Sequence, residues 1–146
     1  MFNTLAQRPD IETATARYEK MLGELRDRLS EQLGPMIWEP SSPMSRAGCS
    51  GFSAVKGTES RLLTTWVFRG AIPDDKWDKA VSIAVEVTKP YGFAQPGAMV
   101  NRPHDHKIIA FDEYGASYQL TTRVHTVLGL GTGCHLEAHA HPKKST

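Results

Sequence analysis

A chain of 146 residues can bury roughly two thirds of the surface its unfolded form exposes, so a single domain with a genuine core is expected. Apolar residues make up 40% and charged residues 23%, which is a globular balance and excludes wholesale disorder. The 17 basic and 16 acidic side chains leave +1 with histidines neutral and no long run of either sign, which excludes the basic face of a nucleic-acid binder.

Residues 1–9 read as a flexible lead. Met1 runs directly into polar sequence without the apolar segment of a signal peptide, so any export signal or lipid anchor is expected to be absent or removed. No stretch reaches the ~20 apolar residues of a membrane helix. From Asp10 to Leu33 the spacing predicts one amphipathic helix. Asp10 caps it, Tyr18, Met21, Leu22, Leu25, Leu29 and Leu33 form its apolar face, and Gly34-Pro35 ends it.

Met36 to Glu39 can start a short strand, and Pro40 to Ser60, rich in Ser, Gly and Pro, reads as a loop or irregular hairpin. Within it, Arg46-Ala47-Gly48-Cys49 looks superficially like a lipidation site, but the preceding Pro40 to Pro43 cannot serve as the required hydrophobic segment. Arg61 to Arg69 alternates as one central strand, with Leu62, Thr64, Trp66 and Phe68 on one side and Leu63, Thr65 and Val67 on the other. Ile72-Pro73-Asp74-Asp75 opens a second helix carrying Trp77, Ala80, Val81, Ala84 and Thr88, closed by Lys89-Pro90-Tyr91-Gly92. The period then becomes two over Lys107 to Asp112, Ala116 to Thr122 and Arg123 to Leu130, with Asp112 to Gly115 as a hairpin loop. This order predicts an α+β, two-layer domain over residues 10–136, its antiparallel sheet carrying both helices on one face. Residues 137–146, with Lys143 and Lys144, read as a flexible tail.

Four features together are distinctive: the long helix ending near Trp38 with a cysteine soon after, Tyr91-Gly92-Phe93 closing the second helix, Asp112-Glu113-Tyr114-Gly115-Ala116, and the Thr132-Gly133-Cys134 ending. Over roughly residues 8–136 the chain resembles the LppA-like lipoproteins of actinobacteria, including mycobacteria. The resemblance implies a surface-anchored domain preceded by a signal peptide and a lipidated cysteine. Neither is in this sequence, so Met1 is read as a start that replaces the anchor, and membrane association is expected only through that removed anchor. It implies location and architecture more than chemistry. In an exported protein, two widely separated cysteines favour a bridge, so the same resemblance implies a Cys49–Cys134 disulfide.

The pairs His104-Asp105-His106 and His139-Ala140-His141 place imidazoles two residues apart, as on one face of a strand, and each pair could chelate Zn²⁺ or Cu²⁺. His104 follows Pro103 in a loop and His139 lies in the expected tail, so a surface role competes with the metal reading. No G-x-S-x-G elbow is present. Gly129 to Gly133 is followed by Cys134-His135-Leu136 rather than a helix and a lysine, so it reads as a twisted, close-packed strand and not a phosphate loop. Trp38, Trp66 and Trp77 read as core.

No cofactor and no enzymatic activity are expected. The expected function is a non-catalytic extracytoplasmic binding domain for a protein or envelope component. An immunity or inhibitor protein against a secreted toxin, and a histidine-based metal binder, are the alternatives. The expected partner surface is the helix-free face of the sheet, with Thr65, Arg69, Thr121 and Arg123 on it and Phe52 in the loop at its rim.

Overall fold

The computed structural model describes residues 2–49, 52 and 55–142. The long helix predicted from Asp10 is α2, Ile11–Leu33, and Asp10 caps it by accepting from the Thr13 N–H at 2.7 Å. This satisfies one of the four amide donors that a helix start leaves unpaired. The second is α3, Asp74–Thr88, extended by a 3₁₀ turn over Lys89–Tyr91 that Gly92 closes in the left-handed conformation. Nine strands are described: β1 Trp38–Ser42, β2 Ser45–Ala47, β3 Thr58–Leu62, β4 Thr65–Phe68, β5 Gly97–Arg102, β6 Asp105–Phe111, β7 Ser117–Thr122, β8 Thr126–Gly131 and β9 His135–Leu136. The order β1-β4-β8-β7-β6-β5 is antiparallel throughout, and β2, β3 and β9 extend it beside β8.

The registers align Trp66, Leu128, Leu120 and Ile108 across β4, β8, β7 and β6, with Leu130, Tyr118 and Ala110 beside them. These residues form the sheet side of one core with Tyr18, Met21, Leu22, Leu25 and Leu29 of α2 and Trp77, Ala80, Ile83, Ala84 and Val87 of α3. Both helices therefore cover one face, and burying each large aliphatic side chain there contributes about 1.5–3 kcal/mol. Val81 is only partly buried; Ile83 and Val87 take the inward positions.

The single strand expected over Arg61 to Arg69 is two strands. Leu62 pairs with Gly131 and Trp66 with Leu128, so four steps on one chain face three on β8. The extra residue is a bulge at Leu63-Thr64, where the buried Leu63 donates its N–H to the Leu130 carbonyl at 2.9 Å. It switches the pleat, so Leu62 faces out, 56% exposed, while Trp66 faces in. The expectation that Leu62 and Trp66 share a side is corrected accordingly. β5, over a stretch with no clear alternation in the sequence, pairs with β6 across a turn in which His104 takes φ 61°.

The lead and residues 137–142 carry contacts of their own. Phe2–Ala6 form α1, and Leu5, fully buried, joins Cys49, Cys134 and Leu136 in a second small core. Arg8 Nη1 donates to the Cys134 carbonyl at 2.7 Å, and Ala138–Ala140 form a 3₁₀ turn against Gly57. Burial of Leu5 and Leu136 around the disulfide supplies the tertiary contacts that short local sequence lacks. Lys143 and Lys144 lie outside the described residues.

Candidate functional site

Alternation along the strands that build the core leaves a second set of side chains on the opposite face. Across it run Glu39, Val67, Val127, Thr121 and Lys107 in register. Beside that row lie Gly129, Gln119 and Ile109, with Thr65 approaching Gly129, and then Leu62, Gly131, Ser117 and Phe111. Two positions of the central strand β8 are thus glycine. A Cβ at Gly129 would meet only Thr65 Oγ1 at 3.9 Å, and one at Gly131 only Leu62 Cδ1 at 3.8 Å. The face therefore has a shallow trough floored by the Gly131 backbone, with Gly129 buried beside it, Leu62 on one bank and Phe111, 55% exposed, beyond Ser117 on the other.

Of the residues singled out from sequence, Thr65 and Thr121 stand on this face and are half-buried. Arg69 pairs with Glu39 at 2.9 Å and Arg123 lies 3.9 Å from Asp105, which Arg102 also contacts at 2.7 Å. Both arginines follow directly on strand residues, Phe68 and Thr122, whose partners lie in one row with Thr126, so they mark one end of the sheet. Phe52 belongs to the other end. It shares an open cleft of about 240 Å³ with Ser60, Thr132, Gly133 and the disulfide, and Arg8 stacks over its ring at 5.7 Å. The glycine spacing i, i+2 in Gly129-Leu130-Gly131 was the available signal for the trough, since residues two apart on a strand share a face. Leu62 was missed because its orientation depends on the bulge.

Cys49 and Cys134 are joined, with Cα atoms 5.7 Å apart. The histidine pairs do not assemble. His106 is buried, stacked on Trp77 at 4.9 Å, with Nε2 donating to Asp74 Oδ1 at 2.7 Å and Nδ1 2.8 Å from Asn101 Oδ1. Asp74 also accepts the His104 N–H, and the His106 and His104 bonds together hold its carboxyl below the usual carboxylate range. His139 Nε2 bonds Glu137 at 2.9 Å, and His141 Nε2 bonds the Arg8 carbonyl at 2.7 Å. Among the described residues no group of three or more His, Cys, Asp or Glu is arranged to hold a metal ion. The metal reading of the H-x-H pairs therefore finds no such group at His104 and His106 or at His139 and His141, where His106, His139 and His141 are each bonded to another acceptor. A histidine outside those pairs is the more deeply buried one. His135 donates from Nδ1 to the Pro9 carbonyl at 2.7 Å, meets the Tyr114 ring edge-on, and leaves Nε2 without a partner among the described residues.

The architecture is a disulfide-closed α+β domain with a helix layer on one sheet face and a trough on the other. A family model described as lipoprotein confined to pathogenic Mycobacterium matches residues 1–138, and the chain belongs to this family, LppA. Membership gives it a cell-envelope-associated location. The fold is similar to the crystal structure of LppA from Mycobacterium tuberculosis, with a TM-score of 0.77 at 14% identity over 93% of this chain and 83% of that one. It is also similar to a DUF4853 family protein from Actinomyces odontolyticus, with a TM-score of 0.67 at 14% identity over 89% and 71%. No curated protein matches the chain.

Proposed function

We propose that this envelope lipoprotein domain is a non-catalytic binding module that takes a protein partner on the outer face of its sheet. The observation that carries the reading is the trough over Gly131 and beside Gly129, banked by the exposed apolar side chains of Leu62 and Phe111. Backbone-floored concavity lets a partner side chain approach the sheet closely, and exposed apolar groups around it supply area to bury. The ion-paired Arg69 and Arg123 at one end provide charged rim groups that set orientation and encounter rate. A toxin neutralised by this domain would be one kind of such partner.

The test is capture from envelope extract by immobilised protein, followed by the same capture with Leu62→Glu and Phe111→Glu. Both side chains are more than half exposed, so the thermal midpoint should hold while capture is lost. A partner retained by both variants, or no protein captured by the wild type, would overturn the reading.

A further inference from the structure

A separate cleft of about 250 Å³ opens between α2, the 3₁₀ turn after α3 and the β6–β7 turn, and it shares no residue with the sheet trough. Its charged groups are unequally engaged. Asp112 is occupied: Oδ2 accepts from the Tyr18 hydroxyl and Oδ1 from the Tyr114 and Ala116 amides, at 2.9 Å each. Among the described residues neither cation is paired with a carboxylate. Arg17 lies over the Tyr91 ring, 5.2 Å from its centroid, with one long bond of 3.4 Å to the Pro90 carbonyl. Lys89, exposed, makes no ion pair among the described residues.

Tyr91 is itself braced, its hydroxyl donating to Glu24 at 2.8 Å, so the ring and the guanidinium on it are held in place. Pro90 and Tyr114, whose ring also carries Arg8 at 5.7 Å from its centroid, add further non-polar surface to the lining, and Glu113 brings a hydrogen-bond acceptor. Free cations select an anionic group, ring faces select a flat or CH-rich ring, and a carboxylate acceptor suits hydroxyl donors. The volume limits the occupant to about one such ring.

We propose that this cleft binds a single anionic sugar unit, a hexose carrying a phosphate or a carboxylate. Arg17 and Lys89 take the charged group, Tyr91 and Tyr114 flank the ring, and Glu113 accepts from its hydroxyls. The unit could be a free sugar phosphate or the charged end of a glycan, and the chemistry recognised is the same.

The experiment is an NMR titration of the ¹⁵N-labelled full chain with glucose 1-phosphate, glucuronate, methyl β-glucuronide, glucose and inorganic phosphate. Saturable shifts at the amides of Arg17, Tyr91 and Tyr114 are expected with the anionic sugars, and binding about tenfold weaker or worse with glucose or phosphate alone. Methyl β-glucuronide binding as glucuronate does points to a glycan end; its exclusion points to a free sugar. Arg17→Gln combined with Lys89→Gln, both exposed positions, should weaken binding by about tenfold or more, with Lys79→Gln combined with Arg102→Gln, two exposed cations outside the cleft, unchanged as a control for net charge. No saturable shift with either anionic sugar, inorganic phosphate binding as tightly as they do, or wild-type affinity in the double variant would each overturn the proposal. None of these outcomes bears on capture by the sheet face.

Discussion

The Tyr18 hydroxyl donates to Asp112 Oδ2 across 94 positions of sequence, tying the first half of the long helix to the turn between β6 and β7. The same carboxylate closes that turn through two backbone amides, so one side chain fixes both the hairpin and its docking on the helix. Tyr18→Phe removes the donor while keeping the ring against Phe93, which it meets edge-on at 5.9 Å. The expected cost is about 1–3 kcal/mol, read from urea melts at neutral pH.

The same phenol sets a limit at alkaline pH. Burial, reinforced by the bond to Asp112, pushes Tyr18 well above the ordinary tyrosine range. The unfolded chain therefore gives up this proton first, near pH ~10, and the associated stability is complete below that value and lost as pH rises. Melting midpoints between about pH 9 and 11 should fall more steeply for the wild type than for Tyr18→Phe. Parallel curves would show that this phenol does not drive the alkaline loss.

His135 acts at the other end of the scale. Burial pushes its imidazole below the usual histidine value, because the charged form would sit without solvent among Leu136, Tyr114 and Pro9. As pH falls through about 6.5 the unfolded chain binds the proton and the folded chain does not, so stability is full above that pH and declines below it. His135→Phe keeps an aromatic ring beside Tyr114 and removes the titration. Between about pH 7.5 and 5 its midpoint should fall less than that of the wild type.

The Cys49–Cys134 bridge closes a loop of 85 positions and joins Leu5 and Leu136 in a small core against which Phe52 and Val55 pack. Thiol titration of the unfolded, unreduced chain should find no free thiol. Replacing both cysteines by serine should cost roughly 2–4 kcal/mol in denaturant melts. A thiol count of two, or melts unchanged by the substitution, would contradict the bridge.

Gly133 is the sharpest steric constraint outside the core. A Cβ there would fall inside the van der Waals shell of the Tyr114 carbonyl oxygen and against the Gly115 backbone, where no flexible side chain can yield. Gly133→Ala should therefore destabilise by more than about 2 kcal/mol in the same melts, whereas Gly48→Ala, with open space around it, should change little.

Local signals along the chain suffice for the two helices, the β6–β7–β8 meander and the family resemblance. Asp10 and Gly34 bound α2, Pro73 and Gly92 bracket α3 and its 3₁₀ extension, and period two marks the last strands; each signal is local, set by neighbours within a turn or a pleat. The tertiary structure alone decided which way Leu62 faces, because the bulge at Leu63-Thr64 exists only in register with β8. It also decided that α1 packs and that His135 is buried, through Leu5 beside the disulfide, Arg8 on the Cys134 carbonyl and Pro9 on His135, contacts 126 positions apart in the last two cases. The same long-range packing left Arg17 and Lys89 beside a cleft whose Asp112 is committed to Tyr18. Periodicity records which face a residue prefers, but a charge is paired or left free by partners that only folding brings within reach.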